Sequence, residues 1–100
     1  MKKIINGKKY DTETAKLICE RQYSYSGDFN YFREELYQKT SGEFFLYGKG
    51  GPLSHYAERD GNDICGSCRL EPYSITDAKE FVEHYGTVED YEEVFGEVEE

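Results

Sequence analysis

The residues best suited to chemistry are two cysteines, Cys65 and Cys68, separated only by Gly66 and Ser67. Two thiolates at this spacing, in a turn that contains glycine, can bind one tetrahedral metal ion, and zinc prefers sulfur and imidazole ligands. A closed zinc site needs four ligands, and the sequence has no second Cys-x-x-Cys pair and no His-x-x-x-His pair. We therefore expect the other ligands to come from isolated residues.

His55 and Cys19 are the candidates for those two positions. His55 precedes Cys65 by ten positions across a polar, turn-rich segment, so a hairpin-like loop can bring it to Cys65 and Cys68. Cys19 is assigned as the fourth ligand because it is expected on the inner face of the first helix. Four protein ligands leave no coordination position for water, so this Zn²⁺ is expected to be structural and not catalytic.

Two other interpretations of the cysteines stay open. Cys65 and Cys68 can be ordinary free thiols, or they can form a redox pair. A redox pair normally lies at a helix N-terminus within a βαβ unit, and the residues after Cys68, 69–72, do not begin a helix. The chain has three cysteines, an odd number that favours thiols or a metal over a disulfide framework. Because we also expect no signal peptide and no membrane span, the predicted location is cytoplasmic.

Other motifs give no sign of an enzyme. The segment Gly48–Pro52 resembles a phosphate-binding loop but lacks the Gly-Lys-Ser/Thr ending. Ser54 and His55 are adjacent, and neighbouring residues rarely face each other as nucleophile and base. Glu34 and Glu35 would point to opposite faces of a strand, so they are poor candidates for paired catalytic carboxylates.

The charge of the chain is concentrated at its C-terminal end. The chain has 100 residues and a formal net charge of −9. Residues 77–100 contain ten acidic residues and one lysine, whereas residues 1–76 contain eleven of each sign. This balance argues against direct phosphate-backbone binding and favours a basic protein partner. The alternative is that these charges are solvated faces of helices and serve solubility alone. The candidate partner-binding residues are Glu89, Asp90, Glu92 and Glu93.

The sequence predicts an α+β fold in a single domain, residues 1–100. Asn6-Gly7 predicts a hairpin turn within residues 2–10, and Ser41-Gly42 predicts a second hairpin in which Leu36 faces Tyr47. Residues 69–73 are expected to form an edge strand, and residues 59–67 a loop. We expect about three short helices on a small antiparallel sheet. The first covers Thr12–Arg21, and the other two follow caps at Ser74 and Thr87.

Three stretches of the sequence resemble a known family. They are Ile5–Ala15, Glu34–Tyr37 with Gly42–Gly48 and Gly51–Ala57, and Tyr91–Val98. Together they are similar to small proteins carried by phages and mobile elements of Gram-positive bacteria. Some proteins of this kind are type II-A anti-CRISPR proteins, which bind and inhibit Cas9.

The resemblance implies a non-enzymatic Cas9 inhibitor. It also implies a zinc-held hairpin, which this sequence could place at His55, Cys65 and Cys68. The alternative function is a zinc-stapled interaction module whose partner is a different host or phage protein. For either function, the contact surface is the acidic C-terminal segment or the tyrosine-rich remainder of the chain.

Overall fold

The computed structural model describes residues 1–25, 27–51, 54–56, 58–60, 63–65 and 67–97, and for residues 58–60, 63–65 and 67 it describes the backbone only. This part of the chain forms eight antiparallel strands and two helices. The strands are β1 (Lys2–Ile5), β2 (Lys8–Asp11), β3 (Lys16–Tyr23), β4 (Phe32–Gln38), β5 (Phe44–Gly50), β6 (Glu58–Asp60), β7 (Asp63–Cys65) and β8 (Ser67–Tyr73), and the helices are α1 (Ile75–Tyr85) and α2 (Val88–Phe95).

The centre of the fold is a four-stranded sheet in the order β3-β4-β5-β8. Helices α1 and α2 cover one face of it, and the β1–β2 hairpin packs on the other through Tyr10, whose ring lies 5.5 Å from that of Phe45. Each face has its own core. The helix-side core contains Ile18, Cys19, Leu36, Phe44, Leu46, Ala78, Phe81 and Val82, and the hairpin-side core contains Tyr10, Tyr37, Phe45 and Leu70. The α+β class is therefore confirmed.

The predicted helix over Thr12–Arg21 is wrong, because this segment forms a turn followed by β3. Asp11 accepts a hydrogen bond from the backbone N–H of Glu13 at 2.9 Å, as a helix cap would, but the chain then leaves the helical conformation. A β-bulge between Leu17 and Cys19 places Ile18 and Cys19 in the same core. Two consecutive inward-facing residues imitate the i, i+3, i+4 pattern of a helix, and this explains the incorrect prediction.

The predicted hairpins exist, but one has a different register. Asn6 and Gly7 both have positive φ angles and join β1 to β2 as predicted. In the β4–β5 hairpin, Leu36 pairs with Leu46 and not with Tyr47. The backbone N–H of Lys39 donates to the carbonyl of Glu43 at 2.8 Å, so the loop has three residues, not two. Gly42, at φ 95°, provides the left-handed conformation that such a loop requires.

Strand β8 and both C-terminal helices confirm the sequence-based expectations. β8 is an edge strand and begins two residues earlier than predicted, at Ser67. Ser74 caps α1, and Thr87 forms a complete capping box with Asp90 at the start of α2. The predicted loop over residues 59–67 is incorrect in part, because the backbone of β6 pairs with that of β7.

Candidate partner-binding surface

The described ligand candidates for zinc lie on different faces of the central sheet. Cys19 belongs to the helix-side core, whereas Cys68 lies on the hairpin side, where its Sγ is 4.0 Å from Sδ of Met1. They also occupy opposite edge strands, about 14 Å apart across three strand spacings. His55 contacts Glu34 and Phe32, which belong to the helix face. The structure therefore does not bring Cys19 to Cys68.

The fourth predicted ligand, Cys65, has only its backbone described, in β7 opposite Glu58. Among the described side chains, no three His, Cys, Asp or Glu residues are grouped closely enough to hold a metal ion. The predicted set of four ligands is therefore not assembled from the described residues. The predicted Cys65–Cys68 zinc pair includes a side chain outside the described residues and stays a prediction.

Cys19 has the properties of a buried structural thiol. Burial, with smaller contributions from the negative charges of Asp90 and Glu20, raises the pKa of Cys19 to about 11. A thiol of this pKa carries almost no thiolate at neutral pH and is a poor nucleophile. Cys68, in contrast, is exposed at the edge of the sheet.

A buried carboxylate organises the part of the helix face nearest the β3–β4 loop. Glu34 accepts hydrogen bonds from Arg21 and from the hydroxyl of Tyr56, and Nε2 of His55 lies 3.5 Å from it. Burial would raise the pKa of Glu34, but the hydrogen bonds from Tyr56 and Arg21 and the charges of Arg21 and His55 lower it overall. Burial, together with the hydrogen bond to Glu34, raises the pKa of Tyr56 well above its usual value. Glu34 is therefore held in its ionised form by its contacts with Arg21, Tyr56 and His55.

Tyr56 reaches Glu34 because Gly48 leaves room for it. A Cβ atom at Gly48 would lie 1.9 Å from the hydroxyl oxygen of Tyr56 and 2.1 Å from Cζ. No side chain larger than hydrogen fits there while Tyr56 keeps its position.

Two further glycines have similar packing roles. A Cβ atom at Gly50 would lie 2.2 Å from Oγ of Ser54, and one at Gly51 would lie 2.7 Å from the carbonyl oxygen of Phe29, so close packing accounts for these glycines.

The four predicted partner-binding residues of α2 do not have equal environments. Asp90 accepts a hydrogen bond at 3.0 Å from the backbone N–H of Thr87, in the capping box. Glu93 pairs with Lys16 of β3. Glu89 and Glu92 are exposed, and neither has an ion pair with a described residue. Glu89 and Glu92 are therefore free to meet a partner, whereas Asp90 and Glu93 already serve the fold.

Two exposed glutamates of α1 extend this surface. Glu80 and Glu83 are exposed, and among the described side chains they also form no ion pair. We call Glu80, Glu83, Glu89 and Glu92 the acidic helical surface. Sequence reasoning missed the two α1 residues, although spacing on a helix would have placed Glu80 and Glu83 side by side.

Basic residues lie on the other side of the sheet. The β1–β2 hairpin exposes Lys2, Lys3, Lys8 and Lys9. Lys8 pairs with Glu43 at 3.0 Å, and Lys9 lies 4.0 Å from Asp11. The sheet therefore separates a basic side from an acidic side.

A third surface feature is an aromatic patch beside the β3–β4 loop. Tyr23, Tyr25 and Phe29 are all more than half exposed, and the ring of Tyr23 stacks on Phe32 at 5.6 Å. Arg21 connects the patch to α1, because its guanidinium lies 4.8 Å from the Phe32 ring and 4.3 Å from the Tyr85 ring. Exposed aromatic residues are enriched at protein interfaces, so this patch is a second candidate contact surface.

Comparisons with known proteins give no relative. No protein-family model matches the sequence, and no curated protein or solved structure matches it either. Neither α1 nor α2, the two helices of the described chain, is long and apolar enough to cross a membrane.

Proposed function

We propose that this protein is a non-enzymatic inhibitor that binds a basic nucleic-acid-processing protein through the acidic helical surface. The supporting observation is that Glu80, Glu83, Glu89 and Glu92 are exposed on α1 and α2 without an ion pair among the described residues. An unneutralised cluster of one sign attracts a partner of the opposite sign and repels nucleic acid.

Cas9 is the partner that the family resemblance suggests. Cas9 holds RNA and DNA in positively charged channels, so it presents the kind of surface that an acidic ligand can bind. An acidic protein seated in such a channel would compete with the nucleic-acid backbone. A structural Zn²⁺ at Cys65 and Cys68 stays a prediction in this proposal and takes no part in the contact.

The test is co-purification of the protein with Cas9, combined with a DNA-cleavage assay. Wild-type protein is expected to form a complex and to reduce cleavage. Substituting Glu89→Gln and Glu92→Gln together should weaken binding by about tenfold, because each removes a charge that faces the partner. The matched control is Glu13→Gln with Glu71→Gln, which changes the net charge equally but at exposed residues outside α1 and α2.

The outcomes separate the proposals clearly. No complex with Cas9 and unimpaired cleavage would reject Cas9 as the partner. If the two double variants bind Cas9 with equal affinity, the acidic helical surface is rejected as the contact. The aromatic patch of Tyr23, Tyr25 and Phe29 is then favoured.

A further inference from the structure

We infer that the groove between α1 and α2 binds an apolar side chain from a basic amphipathic segment of the partner protein. This inference rests on the proposed function, because it names the chemistry that the acidic helical surface would recognise. The groove has a volume of about 300 Å³, and its apolar lining comes from Val82, Val88 and Tyr91. Glu83 and Glu92 also line it.

The groove exists because the two helices are joined by a very short connection. Gly86 ends α1 and Thr87 begins the capping box of α2. A Cβ atom at Gly86 would lie 2.9 Å from Cγ1 of Val82 and 3.0 Å from its carbonyl oxygen, so the chain passes directly over the end of α1. This close passage leaves the first turn of α2 beside the last turn of α1, with a cleft between them.

Val88 is the most exposed of the three apolar residues that line the groove. It is the first residue of α2, and 68% of it is exposed. Tyr91 lies deeper and packs against the Phe95 ring at 4.9 Å, and Val82 is almost completely buried. Val88 is thus an exposed apolar side chain beside the more buried Val82 and Tyr91. Covering it with another apolar group would remove apolar surface from water, which is favourable in free energy.

Charge determines which kind of segment can provide that group. Glu83 and Glu92 flank the groove, and Glu89 follows Val88 directly. Two of the described cations beside these helices already have partners. Lys16 pairs with Glu93, and Nζ of Lys79 lies 5.6 Å from the Phe95 ring. An occupant whose apolar residue is flanked by Lys or Arg would therefore meet complementary charges, whereas an acidic segment would be repelled.

The test uses a defined probe, a synthetic Lys/Leu peptide of about 18 residues with its leucines at helical i, i+3, i+4 spacing. A peptide of identical composition with the leucines dispersed is its control. Binding to the full-length protein is measured by titration calorimetry and by NMR chemical-shift changes. We expect the amphipathic peptide to bind more tightly than the dispersed one, with the largest shifts at Val88 and Tyr91.

Two matched variants make the result specific. Val88→Ser removes apolar surface from the groove and should weaken peptide binding about fivefold, while Ile75→Ser should leave it unchanged. Ile75 is the equivalent control, because it is the first residue of α1 and is also 58% exposed. Glu83→Gln with Glu92→Gln should reduce both the affinity and its dependence on salt concentration.

Failure of the inference is distinguishable from failure of the proposed function. Equal peptide binding by Val88→Ser, Ile75→Ser and wild type would overturn the groove inference. If Glu89→Gln with Glu92→Gln still weakened Cas9 binding in that case, the proposed function would stand. Conversely, Val88-dependent peptide binding in a protein that does not bind Cas9 would support the groove and reject Cas9.

Discussion

At the scale of single residues, Glu34 contributes a pH-dependent part of the stability. Its carboxylate is buried and is paired with Arg21 and Tyr56. Because the pKa of Glu34 is lower in the folded protein, the unfolded chain takes up a proton first as the pH falls. The stability from this group is therefore complete above pH ~5 and is lost as the pH falls through the folded pKa.

The Glu34→Gln variant tests this linkage. At neutral pH we expect it to lower the free energy of unfolding by about 1–3 kcal/mol, because a buried charge-assisted hydrogen bond is lost. The difference from wild type should shrink toward acid pH, as measured by urea unfolding at a series of pH values. Glu35→Gln is the control, since Glu35 lies on the other face, where it is 3.7 Å from Arg33 and accepts a 3.4 Å hydrogen bond from the hydroxyl of Tyr37. A constant difference at all pH values would contradict the assignment.

The cysteines should differ strongly in reactivity. In a Cys65→Ser variant, one remaining thiol, Cys68, is exposed, and the other, Cys19, is buried with a pKa of about 11. We expect a disulfide reagent to modify Cys68 quickly at pH 8 and Cys19 only after unfolding. Mass spectrometry of the labelled protein identifies the site, and rapid labelling of Cys19 in the folded protein would refute its burial.

Metal content provides a separate test of the cysteines. If the purified protein contains zinc, Cys65→Ser should release it and lower the thermal midpoint. Cys19→Ser should keep the zinc, because Cys19 lies on the opposite face of the sheet from Cys68. Elemental analysis of protein purified without chelator measures both effects. Loss of zinc in Cys19→Ser without unfolding would contradict the described placement.

At the scale of elements, the success of sequence-based prediction depended on how local the signal is. Caps and two-residue turns act within a few residues, so the Asn6-Gly7 hairpin and the Thr87 capping box were predictable. The β-bulge at Ile18 and Cys19 is a property of the pairing of β3 with β4, which no local pattern reveals. The β4–β5 hairpin was correctly located, but its three-residue loop, which ends at Gly42, shifts the pairing register by one residue from the predicted one.

The candidate surface was predictable to a similar extent. Charge counting located it on the C-terminal helices, but it could not separate Glu92 from Glu93. That distinction depends on Lys16, which is 77 residues away in the sequence and pairs with Glu93 in the fold. The metal site was inferred from spacing, and spacing contains no information about which sheet face a cysteine occupies.

The packing of Tyr56 against Gly48 of β5 can be tested by substitution. Gly48→Ala should destabilise the fold by about 1–3 kcal/mol, because its Cβ would overlap the Tyr56 ring. In a Tyr56→Ala background the same substitution should cost much less. A double-mutant cycle from urea unfolding measures this coupling. Additive effects would mean that Tyr56 does not lie against Gly48.

At the scale of the whole molecule, the separation of charge predicts which side meets a basic partner. Lys2→Gln with Lys3→Gln removes two exposed positive charges from the hairpin side, and neither lysine has an ion pair with a described residue. We expect partner affinity to change less than twofold, or to rise slightly, compared with the tenfold loss for Glu89→Gln with Glu92→Gln. A large loss on the lysine side would place the contact on the hairpin.

The opposite placement of the basic hairpin and the acidic helices gives the protein an electric dipole across its sheet. Near a positively charged protein, this dipole would orient the molecule so that α1 and α2 face the partner before any contact forms. Such steering raises the association rate at low ionic strength and fades as the Debye length shortens. Capture of the partner would therefore be fast in dilute buffer and would slow steeply with added salt, even where the dissociation rate hardly changes.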